Sequence, residues 1–239
     1  MSIYIWIAIA VLVFVVFLAM FANGAVREFL SAYDEANEIV CGSCLKAVDF
    51  AQNVNQFEFS NSLKIIQGKK SGVSDCYHTG ARVVEISNAN YGNASIAALA
   101  VIAHELGHAQ QERDELKMFS SCLKKRKIAK WLALFIFPLL IAGVVCMFFL
   151  PVWIGGALVV LGILSFVFAI SVKVSLLRVE KDASKRALVL LENYASFDNE
   201  ELETAKNLLK KASNTYLSDI LNALLSWTGL TRRSKLSGY

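Results

Sequence analysis

Two histidines and a glutamate stand close together in this chain, at a spacing that suits metal chemistry. His104 and His108 are four residues apart, and Glu105 follows the first of them, in the order His-Glu-Leu-Gly-His. On an α-helix, side chains four residues apart share one face, so both imidazoles can bind the same ion. In this HExxH pattern a zinc ion activates water and the glutamate accepts its proton. The spacing therefore predicts a helical zinc site for hydrolysis, with Glu105 as the general base.

The residues before the motif favour a helix that could hold it. Alanines recur ahead of the first histidine, and apolar residues lie among them. Ser95 precedes this stretch and has the side chain of a typical helix N-cap. We therefore expect the motif to lie inside a helix that begins after Ser95. The alternative interpretation is an ordinary helix whose two histidines face the core or the solvent.

A third metal ligand must come from elsewhere in the chain. A catalytic zinc ion usually takes three protein ligands and keeps one position for water or substrate. His78 is the remaining one of three histidines, so a carboxylate is the natural alternative. The best candidate segment is 179–184, a predicted helix that contains Glu180 and Asp182. The residues alone leave open which of these two carboxylates completes the site.

The composition indicates a membrane protein. Hydrophobic residues make up 56% of the 239 residues, and the mean hydropathy of +0.49 is too high for an ordinary soluble domain. A helical span needs roughly 20 apolar residues, and two long stretches carry no charge, residues 2–26 and 131–172. Because Pro151 divides the second stretch, we predict three spans, at residues 3–22, 131–150 and 153–173.

Lysines and arginines predict the orientation of these spans. One basic cluster lies at residues 124–130, before the second span, and another at 173–186, after the third, whereas the hairpin tip is uncharged. Because cytoplasmic flanks are enriched in lysine and arginine, we predict that both clusters and the metal site lie on the cytoplasmic side of the cell membrane. Two crossings between His108 and Glu180 would return the chain to that side. The modest net charge of +4 gives no reason to expect a nucleic-acid partner.

Shorter patterns predict the remaining elements. Residues 82–87 read as a strand that could pair with an extended peptide beside the metal helix. A turn is expected next, over residues 88–92. The predicted helices and the polar stretch between them are as follows: helix 27–50, polar stretch 52–70, helix 110–130, solvated helix 199–211 and interfacial helix 216–230.

These elements predict a mainly α-helical, multi-pass membrane protein with a short β element. Its four segments are an N-terminal transmembrane anchor (1–26), a half that contains the metal helix (27–130), a transmembrane hairpin (131–173), and a helical half with the third ligand and an interfacial C-terminal helix (174–239).

Five cysteines are present, an odd number that suits free thiols at a reducing cytoplasmic face. Cys41 and Cys44 form a CxxC pair, which could support redox chemistry or a second zinc site. No second pair stands near it, and the surrounding apolar spacing resembles a helix face. We therefore interpret both cysteines as small core residues.

Two stretches carry a resemblance to a known family. Residues 72–111 and the Glu-x-Asp-Ala-Ser segment resemble the YugP family of membrane zinc metallopeptidases, which is similar to the HtpX-type gluzincins. The resemblance implies a zincin-like domain, zinc as cofactor, and a peptide or membrane protein as substrate. It also implies His104 and His108 as ligands, Glu105 as general base and Glu180 as third ligand. Asp182 would be an alternative ligand, or a partner that fixes a histidine tautomer.

The chain departs from this family pattern just ahead of the metal helix. The family usually reads Ser-Asp-His-Tyr-Asp-Pro, whereas this chain reads Ser-Asp-Cys-Tyr-His-Thr at residues 74–79. Tyr77 and His78 are the candidates for substrate binding or oxyanion stabilisation in this segment, but the displaced histidine and the missing proline count against carrying the family's role over to them.

Three other functions are compatible with the same sequence. The first is a non-catalytic membrane scaffold or adaptor with a structural or vestigial metal site, which would need a closed set of four ligands. The second is a membrane redox protein that uses Cys41 and Cys44. The third is a hydrolase whose site lies within the bilayer, although the charged Glu85 and Arg113 near the metal helix oppose it. The number of subunits is not predicted.

Overall fold

A computed structural model describes residues 24–68, 75–114 and 117–225. Helices dominate these ranges, and one small sheet accompanies them, as the sequence predicts. In chain order the elements are α1 (24–38), α2 (Ala47–Phe59), β1 (Lys64–Gln67), β2 (Cys76–His78), β3 (Val83–Ile86), α3 (Asn88–Tyr91), α4 (Ile96–Arg113), α5 (Lys117–Phe149), α6 (Val152–Tyr194) and α7 (Asn199–Leu225).

The chain forms two compact units. One consists of the chain up to Asp114 together with the chain from Glu180 onwards, and the other is Glu115–Val179. Helix α6 begins in the second unit and ends in the first. The histidine motif and Glu180 therefore belong to one unit, although the sequence separates them by a long apolar stretch.

The sheet has the order β1-β3-β2. Its central strand, β3, is parallel to β1 and antiparallel to β2. The strand predicted over residues 82–87 is confirmed to within one residue at each end. Since β3 has a neighbour on both sides, it cannot accept an extended peptide as predicted. The residues after β3 form the short helix α3 rather than only a turn.

A buried carboxylate fixes the start of β2. Asp75 is fully buried, and it accepts hydrogen bonds of 2.7 Å from the backbone nitrogen of Ser87 and from Nδ2 of Asn90. Burial raises the pKa of Asp75, and these hydrogen bonds partly oppose the rise. Three consecutive elements, β2, β3 and α3, are thereby joined through one side chain.

The helix predicted over 27–50 is interrupted at residues 39–46. Helix α1 ends at residue 38, and α2 continues into the first part of the predicted polar stretch, 52–70. The reason is a set of backbone bonds to the turn before α4: Cys41 N donates to Ala94 O, and Ala47 N donates to Asn93 O, both at 2.9 Å. These long-range bonds compete with continuation of the helix, and Cys44 adopts a left-handed conformation with φ 51°.

The two cysteines of the CxxC pair lie in this loop rather than on a common helix face. Cys41 is buried, with its thiol 3.7 Å from the carbonyl oxygen of Leu45, whereas Cys44 is exposed. The interpretation as a small core residue is confirmed for Cys41 and wrong for Cys44.

Helix α4 lies at the centre of the first unit. Its apolar residues are buried on every side, as expected of a helix that other elements surround; the largest are Ile96, Leu99, Ile102 and Leu106. Ser95 is the N-cap, because its hydroxyl oxygen accepts a hydrogen bond from the backbone nitrogen of Ala98 at 3.2 Å. The predicted start of the metal helix is confirmed. The predicted continuation over 110–130 is wrong, because α4 ends at Arg113 and α5 begins at Lys117.

The second unit contains the apolar helices. Within the described ranges, α6 is the helix that is long and apolar enough to cross a membrane, and the apolar part of α5, Pro138–Phe149, is shorter. The predicted span 153–173 lies in α6, whereas length and composition do not support 131–150 as a full span. The predicted span 3–22 lies outside the described residues.

The C-terminal helix α7 unites two predicted helices. It continues from Asn199 to Leu225. The break predicted between a helix over 199–211 and another over 216–230 is therefore wrong. Ala205, Leu208 and Leu209 of α7 are buried in the core of the first unit, and therefore this helix is more than a solvated surface element. Residues 226–230 lie outside the described part of the chain.

Candidate metal centre

Three side chains from two helices converge on one point. Oε2 of Glu180, on α6, lies 3.2 Å from Nε2 of His104 and 3.3 Å from Nε2 of His108, both on α4. The two imidazole rings stand nearly perpendicular, with centroids 4.8 Å apart. The spacing of four residues thus places both rings toward the carboxylate, although 76 residues separate His104 from Glu180.

The close approach of the two helices depends on a glycine. A Cβ atom at Gly107 would lie 2.5 Å from the carbonyl oxygen of Ala183 and 3.2 Å from its carbonyl carbon. Both obstructing atoms belong to the backbone, so no side-chain rotation could relieve the clash. Gly107, inside the motif, therefore sets the distance between the histidine helix and the segment that contains Glu180.

We expect Gly107→Ala to destabilise the first unit and to weaken metal binding. Overpacking of this kind typically lowers the free energy of unfolding by about 1 to 3 kcal/mol, and here it would also separate Glu180 from the histidines. Chemical unfolding and zinc binding of the purified variant would measure both effects. Gly92→Ala is the matched control, because nothing lies within 4 Å of its Cβ position and its φ is −100°. Equal stability of the two variants would contradict the role assigned to Gly107.

A serine orients the first imidazole. The hydroxyl of Ser184 donates to the carbonyl oxygen of Glu180 at 2.9 Å, so its oxygen is an acceptor for Nδ1 of His104 at 3.3 Å. This arrangement places a proton on Nδ1 of His104. Its Nε2 atom can then present a lone pair to a metal ion when the imidazole is neutral.

A glutamine and an aspartate orient the second imidazole. Nε2 of the fully buried Gln111 donates to Oδ2 of Asp182 at 2.8 Å, so its Oε1 faces Nδ1 of His108 at 2.9 Å and must accept from it. Asp182 is also bonded to Nε of Arg186 at 3.0 Å. Asp182 therefore acts on His108 through Gln111. Its carboxylate is bonded to Gln111 and Arg186. Gln111 was not predicted as a site residue, although its position one helical turn after His108 places it on the same helix face.

The electrostatics of the site follow from burial and close opposite charges. Burial alone would raise the pKa of Glu180, but hydrogen bonds and positive charge from His104 and His108 hold it well below its usual range. Burial would lower the pKa of His108, but Glu180, and Glu105 more weakly, raise it to about 9. Burial raises the pKa of Glu105, and the two histidines partly oppose that rise. A metal cation would take the place of protons among these groups.

The arrangement of donor atoms fits a small divalent cation. One ligand atom from each of the three residues lies within 4.8 Å of the others. Ligands bound about 2.0 Å from a tetrahedral zinc ion are roughly 3.3 Å apart, close to the 3.2 and 3.3 Å between Glu180 and the two imidazoles. Two imidazoles and one carboxylate are also a donor set typical of catalytic zinc. These three residues could therefore hold such an ion.

Glu105 lies beside these three residues and is held by the sheet. It is only 5% exposed, and its Oε2 atom accepts a 2.7 Å hydrogen bond from the backbone nitrogen of Tyr77 in β2. The hydroxyl of Tyr77 donates to Oε2 of Glu112 at 2.7 Å, and Glu112 also accepts from the backbone nitrogen of Gly80. Strand β2 is thus joined to the metal helix at two positions two turns apart.

The two other predicted site residues lie on opposite faces of β2. Tyr77 packs against the core of the first unit, and burial together with the bond to Glu112 raises the pKa of its hydroxyl. The side chain of His78 contacts Cys76 and Glu85 instead. A role for either residue in substrate binding stays a prediction.

The site and fold together define a class of protein in which a HExxH helix and a glutamate from a later helix surround a metal position. Residues 7–233 match the family model described as "Putative neutral zinc metallopeptidase", and the chain belongs to this family. The chain is also similar to "Putative membrane protease YugP" of Bacillus subtilis (strain 168), with 29% identity over 163 residues that cover 66% of this chain and 68% of that protein. No solved structure matches the chain. The resemblance inferred from the sequence is confirmed.

Proposed function

We propose that this protein is a membrane-bound zinc endopeptidase of the HExxH gluzincin type. One observation carries the proposal: Nε2 of His104 and Nε2 of His108 lie 3.2 and 3.3 Å from the same oxygen, Oε2 of Glu180. The buried carboxylate of Glu105 lies beside these three residues. Membership of a zinc metallopeptidase family supports zinc as the ion.

The residues of the site have separate roles in the proposed reaction. His104, His108 and Glu180 would hold a zinc ion, which would supply Lewis acidity toward water and the scissile carbonyl. Glu105 accepts the proton of the attacking water and later delivers it to the leaving amine. The Tyr77 backbone N–H orients Glu105 for this transfer, because it fixes one carboxylate oxygen.

An extended peptide is the proposed substrate. Among the described strands, β2 has one strand neighbour, β3, and it contacts the general base through Tyr77. We propose that the peptide lies along β2 rather than β3, since backbone pairing would place its carbonyl groups beside α4. Tyr77 is then the better placed of the two predicted substrate-binding residues, because His78 lies on the far face of the strand.

The proposed location is the cell membrane, with more than one crossing and with the site on the cytoplasmic side. Support comes from the apolar helix α6, from the uncharged N-terminal stretch, and from a relative that is called a membrane protease. Helices α5 and α6 pack closely, since a Cβ at Gly155 would lie 2.5 Å from Gly143 O, as a tight hairpin would require. The basic clusters that flank this hairpin support the orientation.

The structural features do not favour a non-catalytic scaffold. A structural zinc site is closed by four ligands, whereas the cluster around Glu180 offers three among the described residues. A vacant position is what a hydrolase needs for water or substrate.

Metal removal tests the proposed function. Treatment of the detergent-purified protein with 1,10-phenanthroline should abolish its hydrolysis of casein, and added Zn²⁺ should restore it, because the hydrolysis depends on the ion. The isomer 1,7-phenanthroline, which does not chelate, is the control and should have no effect. Hydrolysis that persists after the His104 site has been shown to be metal-free would refute the proposal.

A further inference from the structure

A second group of metal-binding side chains lies on the small sheet, away from the histidine motif. Cys76 and His78 are two residues apart on β2 and therefore share one face. Glu85 of β3 is paired with Cys76 across the strands and presents its side chain on the same face. The Sγ atom of Cys76 lies 3.4 Å from Nε2 of His78, and that nitrogen lies 2.9 Å from Oε2 of Glu85.

We propose that Cys76, His78 and Glu85 form a second metal site, which takes Zn²⁺ or another thiophilic divalent ion. A thiolate, an imidazole and a carboxylate are all zinc ligands. With bonds of about 2.3 Å to sulfur and 2.0 Å to nitrogen or oxygen, tetrahedral ligand atoms are roughly 3.3 to 3.5 Å apart. The 3.4 Å between Cys76 Sγ and His78 Nε2 is close to these values, whereas the 2.9 Å between His78 Nε2 and Glu85 Oε2 is a hydrogen-bond distance, which a bound ion would lengthen by about 0.4 Å.

An ion pair between His78 and Glu85 explains only part of this geometry. Such a pair needs one imidazole nitrogen and one carboxylate oxygen, but the same Nε2 atom also faces the sulfur of Cys76. The side chains of His78 and Glu85 are 47% and 26% exposed, so an ion has access and a solvent molecule can complete its coordination. The pattern repeats that of the first site, where ligand atoms from two elements also converge on one point.

Occupation of this site would affect the proposed catalytic base. Tyr77 lies between the two ligands of β2, and its backbone N–H is the group that holds Glu105. A metal ion that binds both Cys76 and His78 would fix the backbone of Tyr77 and hence the position of the Glu105 carboxylate. This consequence rests on the proposed peptidase function, whereas the metal site itself does not.

Cobalt substitution separates the two sites in the full-length protein. Co²⁺ bound to a thiolate has an intense sulfur-to-metal charge-transfer band in the near ultraviolet, and the site of His104, His108 and Glu180 contains no sulfur. Because the two proposed sites both bind Co²⁺, we expect metal-free protein to develop this band on titration, to saturate it by two equivalents per chain, and to lose it when Zn²⁺ is added in excess.

Substitutions assign the band to its ligands. Cys76→Ser should abolish the charge-transfer band. His78→Ala should weaken the Co²⁺ affinity, measured from the growth of the band, by at least about tenfold. Cys44→Ser is the matched control, because Cys44 is an exposed thiol in the loop between α1 and α2 and is not one of the proposed ligands. The band of this variant should be unchanged. A wild-type protein without the band, or a band that survives Cys76→Ser, would overturn the second site.

The outcome for this site is independent of the proposed function. If the band depends on Cys76 but the protein hydrolyses no peptide, the second site stands and the peptidase proposal fails. If peptide hydrolysis is zinc-dependent but the band is absent, the peptidase proposal stands and the second site fails.

Discussion

Glu105→Gln is expected to lower peptide hydrolysis by about 10² to 10⁴-fold while zinc remains bound. Loss of a general base commonly has an effect of this size. Glutamine has nearly the same shape as glutamate, and its amide oxygen can still accept the hydrogen bond from Tyr77 N that Glu105 accepts at 2.7 Å. It cannot take up a proton from water. The expected change is therefore in kcat, measured with a quenched fluorescent peptide, and not in metal content.

Glu112→Gln is the matched control for this substitution. Glu112 lies two turns later on the same helix and also bonds β2, through the hydroxyl of Tyr77 and the backbone of Gly80. If Glu105 acts only by anchoring the strand, both variants should lose activity similarly. We expect Glu112→Gln to retain most of the activity, and full activity in Glu105→Gln would eliminate the proposed mechanism.

Glu180→Gln is expected to remove the ion from the first site. The carboxylate is buried between the two imidazoles and offers the only negative charge within 3.3 Å of both among the described contacts. Glutamine would leave three neutral ligands. The loss of zinc affinity should therefore exceed the 10 to 100-fold that is typical when a residue hydrogen-bonded to a metal ligand is changed. Zinc binding should be measured in a Cys76→Ser background, which leaves a single site to count.

Two further variants distinguish ligand loss from general damage. Asp182→Asn should weaken zinc binding by about 10 to 100-fold, because Asp182 reaches His108 through Gln111. Glu192→Gln, on an exposed part of the same helix, should have no effect. A larger loss of zinc in Asp182→Asn than in Glu180→Gln would reverse the assignment and make Asp182 the ligand.

Local patterns in the sequence were sufficient to predict much of the candidate site. The helical position of His104 and His108 depends on a four-residue spacing, and the N-cap at Ser95 depends on its immediate neighbours. These two inferences use residues within a few turns of one another. The segment 179–184 was chosen because it directly follows the apolar stretch, and the resemblance to the family then singled out Glu180 rather than Asp182.

The features that were not predicted depend on contacts between distant segments. The end of α1 is set by backbone bonds from Cys41 and Ala47 to residues 93 and 94, which no local propensity reveals. Gln111 acquires its role only because α6 presents Asp182 to it. Likewise, the division of the predicted 110–130 helix at Arg113 cannot be read from a charged stretch that favours helix throughout.

The contact between Gly107 and Ala183 also bears on which ions the first site can select. The backbones of α4 and α6 are in contact there, so the distance between the histidines and Glu180 cannot decrease. An increase in this distance would break the contact between the two backbones. Side-chain rotation alone must absorb any mismatch in ionic radius. An ion as large as Ca²⁺, whose oxygen ligands lie at about 2.3 to 2.6 Å, would be excluded by the spacing of the scaffold as well as by the nitrogen donors.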